Sequence, residues 1–103
     1  MARIVAEQVF DPPLSEEASS QLARRIDECL MSRYGCWRRS YVSLDRRRVT
    51  CEFDAPDAES VREAMRLAGA PFERVWVAEV FAVEDYPELQ AKLDEAIRRR
   101  PGQ

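Results

Sequence analysis

Five ionisable side chains hold most of the chemical potential of this 103-residue chain: Glu7, Arg39, Tyr41, Glu52 and Glu79. Strand periodicity places Glu7 in a first strand, Arg39 and Tyr41 in a second, Glu52 in a third and Glu79 in a fourth, all on one side of a sheet with Trp37 beside them. Three carboxylates, a guanidinium and a phenol enclosed together would raise at least one carboxylate pKa through burial and like-charge proximity, which is how a general acid or base is made. A hollow of that kind could bind a cation or shuttle a proton. The same residues also fit a plainer role. Arg39 opposite Glu52 makes an ordinary cross-strand salt bridge, and Tyr41 and Trp37 are common interface anchors. No nucleophile–base couple, phosphate loop or metal signature accompanies them, so the residues favour a binding protein over an enzyme. The candidate ligand-binding set is Glu7, Trp37, Arg39, Tyr41, Glu52 and Glu79, with no catalytic residue, metal ligand or cofactor assigned.

What the chain lacks narrows the choice further. With no histidine it cannot build a Ser-His or Cys-His couple, and it lacks the commonest transition-metal ligand. Cys29, Cys36 and Cys51 are odd in number and show no CxxC spacing, so they read as small buried hydrophobes rather than a disulfide framework or zinc site. A net charge of −3 disfavours nucleic acid, although Arg46–Arg48 and Arg98–Arg100 form local clusters. These are expected to be a solvated turn and a helix C-terminus, where cations oppose the dipole. An RNA-recognition platform would need exposed aromatics on the central strands, whereas the third strand offers Glu52 there. No run reaches the roughly 18 apolar residues of a membrane helix, and Glu7 interrupts the N-terminal apolar stretch, so a cytoplasmic protein with no membrane partner is expected.

The elements that must position these groups follow from patterning. Arg3–Phe10 alternates as a first strand, and Asp11-Pro12-Pro13 stops it. Ser15 caps a helix whose stripe is Ala18, Leu22, Ile26, Cys29 and Leu30, with Gly35 placed to end it. Strands over Cys36–Leu44 and Arg47–Asp54 form a hairpin around Asp45-Arg46, in which Arg39 opposes Glu52, Ser40 opposes Cys51 and Tyr41 opposes Thr50. In that register Val42, Val49, Cys51 and Phe53 share an apolar face, and Trp37, Arg39, Tyr41, Thr50 and Glu52 share the other. Asp57 caps a second helix with the stripe Ala58, Val61, Met65 and Ala68, ended by Gly69 and Pro71. The nearly continuous apolar run Phe72–Val83 reads as a fourth strand containing Glu79, and a third helix starts at Asp85 with Leu89, Leu93, Ala96 and Ile97 on its apolar face.

The order βαββαβ with an added helix predicts an α+β, ferredoxin-like fold: a four-stranded antiparallel sheet in order 4-1-3-2, with the first two helices on one side. Residues 1–84 form this domain and residues 85–103 a C-terminal helical extension. Two helices cover only one side of such a sheet, and the other would expose a larger patch than monomers usually tolerate. The expected remedy is a homodimeric α+β barrel with a small ligand or ion in the cavity where the sheets meet. The enzymatic alternative is a cofactor-independent isomerase or monooxygenase acting on a small aromatic substrate, with Trp37, Arg39, Tyr41 and Glu52 as polarising groups and base.

The stretch from Trp37 to Pro71 carries a family likeness as well. Its SYV at Ser40–Val42, Cys51, the APDAESVRE of Ala55–Glu63 and the AGAP of Ala68–Pro71 resemble the domain of unknown function 4242 family, short ferredoxin-like proteins that include a nickel-binding member. The likeness covers roughly residues 2 to 83 and leaves the third helix outside. It implies an α+β barrel dimer and metal binding. Relatives often carry a histidine just after the VRE run, where this chain has Ala64, and borderline transition metals favour imidazole or thiolate over carboxylate alone. No metal site is therefore carried over.

Overall fold

Alternation between apolar and polar side chains extends Ala2–Val9 as strand β1, with Ile4, Ala6 and Gln8 buried on one side and Arg3 and Glu7 on the other. The computed structural model describes residues 1–101, so Gly102 and Gln103, the end of the extension expected over 85–103, lie outside the described residues. Helix α1, Glu16–Met31, begins where the Ser15 hydroxyl accepts the Ala18 amide at 3.1 Å, and it buries Leu22, Ile26 and Leu30. Its end differs from expectation in one respect. Tyr34, not Gly35, takes the left-handed conformation, at φ 63°. Gly35 supplies space instead, because a Cβ there would stand 2.6 Å from Leu30 Cγ.

Strands β2, Cys36–Val42, and β3, Arg48–Ala55, pair antiparallel with Arg39, Ser40 and Tyr41 opposite Glu52, Cys51 and Thr50, as predicted. The connecting turn is wider than predicted. Ser43 N–H donates to Arg48 O at 2.9 Å, and Leu44 and Arg47 belong to the loop rather than to the ladder. Arg46 is half-buried rather than freely solvated, and its guanidinium donates to Leu14 O at 2.6 Å and to Ser19 Oγ at 2.7 Å, tying the hairpin to the start of α1.

Helix α2, Ala58–Ala68, is capped by the Asp57 carboxylate, which accepts from Ser60 N at 2.7 Å, and it ends on Gly69 at φ 71°, a left-handed position that favours glycine. Val61, Ala64 and Met65 are fully buried. Strand β4 is Arg74–Ala78, shorter than the predicted Phe72–Val83. A 3-10 turn at Val83–Asp85 and helix α3, Pro87–Arg99, follow it.

The sheet order is β2-β3-β1-β4, the predicted 4-1-3-2 arrangement, and every pairing is antiparallel. One core fills the space between the sheet and α1 and α2, centred on Ile4, Phe53, Ile26, Leu30 and Met65. Helix α3 stands apart from that core. Its main packing partner is the 3-10 turn, and Leu89, Leu93 and Ile97 remain exposed. The radius of gyration, 16.3 Å, accordingly exceeds the value of about 13 Å for a compact domain of this size. No helix among the described residues is long and apolar enough to cross a membrane.

Candidate functional site

The helix-free face of the sheet gathers most of the predicted site. Because side chains alternate along each strand, the ladder sets Arg39, Glu52, Val5 and Trp76 in one row across all four strands. The next row is Tyr41, Thr50, Glu7 and Arg74. Glu52 lies between two guanidiniums, 3.1 Å from Arg3 Nη1 and 3.3 Å from Arg39 Nε. Arg3 also reaches Asp54 at 3.1 Å, and Asp54 pairs with Arg38 at 3.2 Å, so the ion pairs form a continuous chain. Val5 is only 8% exposed on this face, screened by its row neighbours, while Trp76 at 45% and Tyr41 at 56% stand open on the outer strands.

Glu7, Arg39, Tyr41 and Glu52 are therefore brought onto one surface, in two adjacent rows. Glu79 is not among them. It follows the end of β4 in an exposed segment, outside the sheet. The uninterrupted apolar run Val75-Trp76-Val77-Ala78 gave the strand no legible phase, and for the same reason Trp76 was missed. Its indole Nε1–H donates to Glu7 Oε2 at 2.9 Å, a bond between partners 69 positions apart that short-range patterning does not reveal.

Trp37 lies on the opposite face, which corrects its predicted place beside Arg39 and Tyr41. The pairing shifts between Trp37 and Arg39, since Trp37 opposes Phe53 while Arg39 opposes Glu52. That extra residue, Arg38, is a β-bulge, and a one-residue insertion turns every preceding side chain to the other side. Trp37 N–H accordingly donates to Asp27 Oδ1 of α1 at 2.8 Å. Its ring borders a cleft of about 330 Å³ between α1 and the sheet. Cys36 moves with the same shift: it is exposed and opposes Asp54 on the helix-free side, contrary to its reading as a buried hydrophobe.

In the cleft, polar atoms form a chain. Trp37 Nε1–H donates to Ser40 Oγ at 2.9 Å, Ser40 donates to Cys51 Sγ at 3.1 Å, and Cys51 reaches Gln8 Oε1 at 3.5 Å. Gln8, the single polar member of the buried set among the described residues, anchors the end by donating to Pro71 O at 2.9 Å. Burial pushes the Cys51 thiol above its ordinary range, and the bond from Ser40 offsets this only in part. Cys51 therefore stays protonated at neutral pH and is a poor nucleophile.

The donor set does not suit a transition metal. All three thiols are free, and among the described residues no group of three histidine, cysteine, aspartate or glutamate side chains gathers closely enough to hold an ion. On the helix-free face Glu52 and Asp54 are occupied by arginines. No buried side-chain polar atom among the described residues lacks a partner.

Comparison with known proteins adds the following. A family model described as nickel responsive protein SCO4226-like matches residues 6–77. The crystal structure of SCO4226 from Streptomyces coelicolor A3(2) superposes with a TM-score of 0.72 at 12% sequence identity, over 79% of this chain and 100% of that one. That likeness supports the fold. A search of curated proteins finds no match.

Proposed function

The chain belongs to the SCO4226-like family of nickel-responsive proteins, and on that premise we propose that it is a cytoplasmic, non-catalytic, homodimeric binding protein whose helix-free sheet faces meet around a small anion. Nickel does not fit these residues. The chain has no histidine, Ala64 stands where relatives often carry one, the Glu52 and Asp54 carboxylates are engaged by guanidiniums, and Glu7 accepts the Trp76 indole. The exposed thiol of Cys36 suits a reducing compartment.

One observation carries the reading: the charge balance of the helix-free face. Arg3, Arg38, Arg39, Arg48 and Arg74 outnumber Glu7, Glu52 and Asp54 there, five against three, in a chain whose net charge is −3. Trp76 and Tyr41 on the outer strands supply the aromatic area that interface cores favour. Apposing two such faces buries the aromatics but brings like charge together. A small anion between the faces relieves that repulsion and turns the surplus arginines into charge-assisted hydrogen-bond donors.

Sedimentation velocity at low ionic strength tests this directly. The dimer fraction is expected to rise on titration with inorganic phosphate and to rise much less with the same ionic strength of chloride. A protein that stays monomeric at every phosphate concentration would overturn the reading.

A further inference from the structure

From the cleft between α1 and the sheet we infer a second binding site, on the opposite side of the sheet from the proposed interface, for a small, neutral, mainly apolar molecule carrying one hydroxyl group. The cavity, about 330 Å³, lies within the size range of small-molecule pockets. The cleft is open to solvent on one side and reaches inward to Ile26, Val49 and Cys51 of the core, so a ligand can enter it and still meet buried apolar side chains. Leu22, Ile26, Val42 and Val49 supply its apolar walls, and none of its lining residues is charged although 34% of the chain is. An ionised ligand would lose hydration there with little compensation, since the adjoining guanidinium, that of Arg46, is already engaged by Leu14 O and Ser19 Oγ.

Two independent features shape the site. The bulge at Arg38 re-aims Trp37 so that its indole borders the cleft, and the Trp37 backbone is fastened to Asp27 of α1. A second cleft of about 340 Å³ shares Ser20, Ala23 and Trp37 with the first and adds Arg24 and Asp27, so these charged groups line the neighbouring cleft and not the first. Within the cavity, the chain Trp37–Ser40–Cys51–Gln8 spends its hydrogens internally: the indole N–H, the Ser40 hydroxyl and the Cys51 thiol each donate to the next member. What is left over is a second lone pair on Ser40 Oγ and on Gln8 Oε1, together with the second amide hydrogen of Gln8, whose first goes to Pro71 O. A ligand that brings a donor is therefore matched, and a phenol or compact alcohol answers that description.

The test uses p-cresol, toluene and p-toluate, which share a ring and a methyl group and differ in one substituent, followed by ¹H–¹⁵N NMR. The Trp76→Phe variant identifies the Trp37 indole resonance. p-Cresol is expected to shift the Trp37 indole and the Ala23 amide saturably, toluene to bind more weakly on the order of two- to tenfold for the lost hydrogen bond, and p-toluate not to bind. Ala23→Phe, which places a ring in the cavity, should abolish the shift with the far-UV spectrum unchanged. If that variant does not fold, Ser40→Ala should bring p-cresol down to the affinity of toluene. No saturable change at Trp37, equal affinity for all three compounds, or shifts centred on Trp76 and Tyr41 would overturn the inference. Because the two surfaces lie on opposite sides of the sheet, loss of phosphate-dependent dimerisation would leave this result untouched.

Discussion

The two faces of this sheet are built from the same four strands, yet they meet their obligations in opposite ways. Toward α1 and α2, β3 presents Val49, Cys51, Phe53 and Ala55, all buried, and stability comes from removing apolar surface from water. Away from the helices the same strand presents Arg48, Thr50, Glu52 and Asp54, whose carboxylates are satisfied by Arg3, Arg38 and Arg39. The ion pairs there are partly exposed, and pairs of that kind contribute only about 0 to 1 kcal/mol each. The first face holds the protomer together. The second adds little to that stability, and on the proposed reading it specifies what the protein meets.

That contrast can be broken most sharply at Phe53, which is fully buried on the helix side. Phe53→Ala should cost about 3–5 kcal/mol of unfolding free energy, read as a lower urea midpoint. Trp76→Ala, on the other face, should leave protomer stability nearly unchanged and weaken self-association by about tenfold or more, measured by sedimentation. If the two variants destabilised the protomer equally, the division of labour between the faces would be wrong. The thiols give the finest probe. Iodoacetamide should alkylate exposed Cys36 well before buried Cys51, and equal rates would mean that the cleft side is as open as the other. Linkage gives the sign of the pH effect. Burial raises the folded-state pKa of Cys51 above its unfolded value of about 9.0, so the stabilisation from keeping the thiol neutral is complete below that pH and declines as pH rises through the folded value. A Cys51→Ala protein should lose less stability between neutral and alkaline pH.

Much of the fold was legible because several signals agreed. Ser15 and Asp57 capped the helices that their positions announced, and the alternation through Val49, Cys51 and Phe53 fixed both the inner face of β3 and its register with Arg39–Tyr41. The candidate site was legible only in part. Glu7, Arg39, Tyr41 and Glu52 were correctly sided because polar and apolar residues alternate around them. Trp37 was not, because a bulge adds a residue without changing the local pattern, and the doublet Arg38-Arg39 reads equally well with either residue looped out. Glu79 and Trp76 exchanged places for a related reason: a strand without polar punctuation has no visible phase. The bond from Arg46 to Leu14 and Ser19 joins segments that only the tertiary fold brings together.

The shape of the two outer strands has a consequence for how copies of this protein can grow together. A bare rim of unpaired amides and carbonyls invites another strand to add on, the route to filaments and amyloid. Here β2 breaks that template with the Arg38 bulge and adjoining positive charge, and β4 offers only five residues, beginning with Arg74. Lateral extension is discouraged at both margins, so the face-to-face pairing proposed above would form without seeding an open-ended polymer.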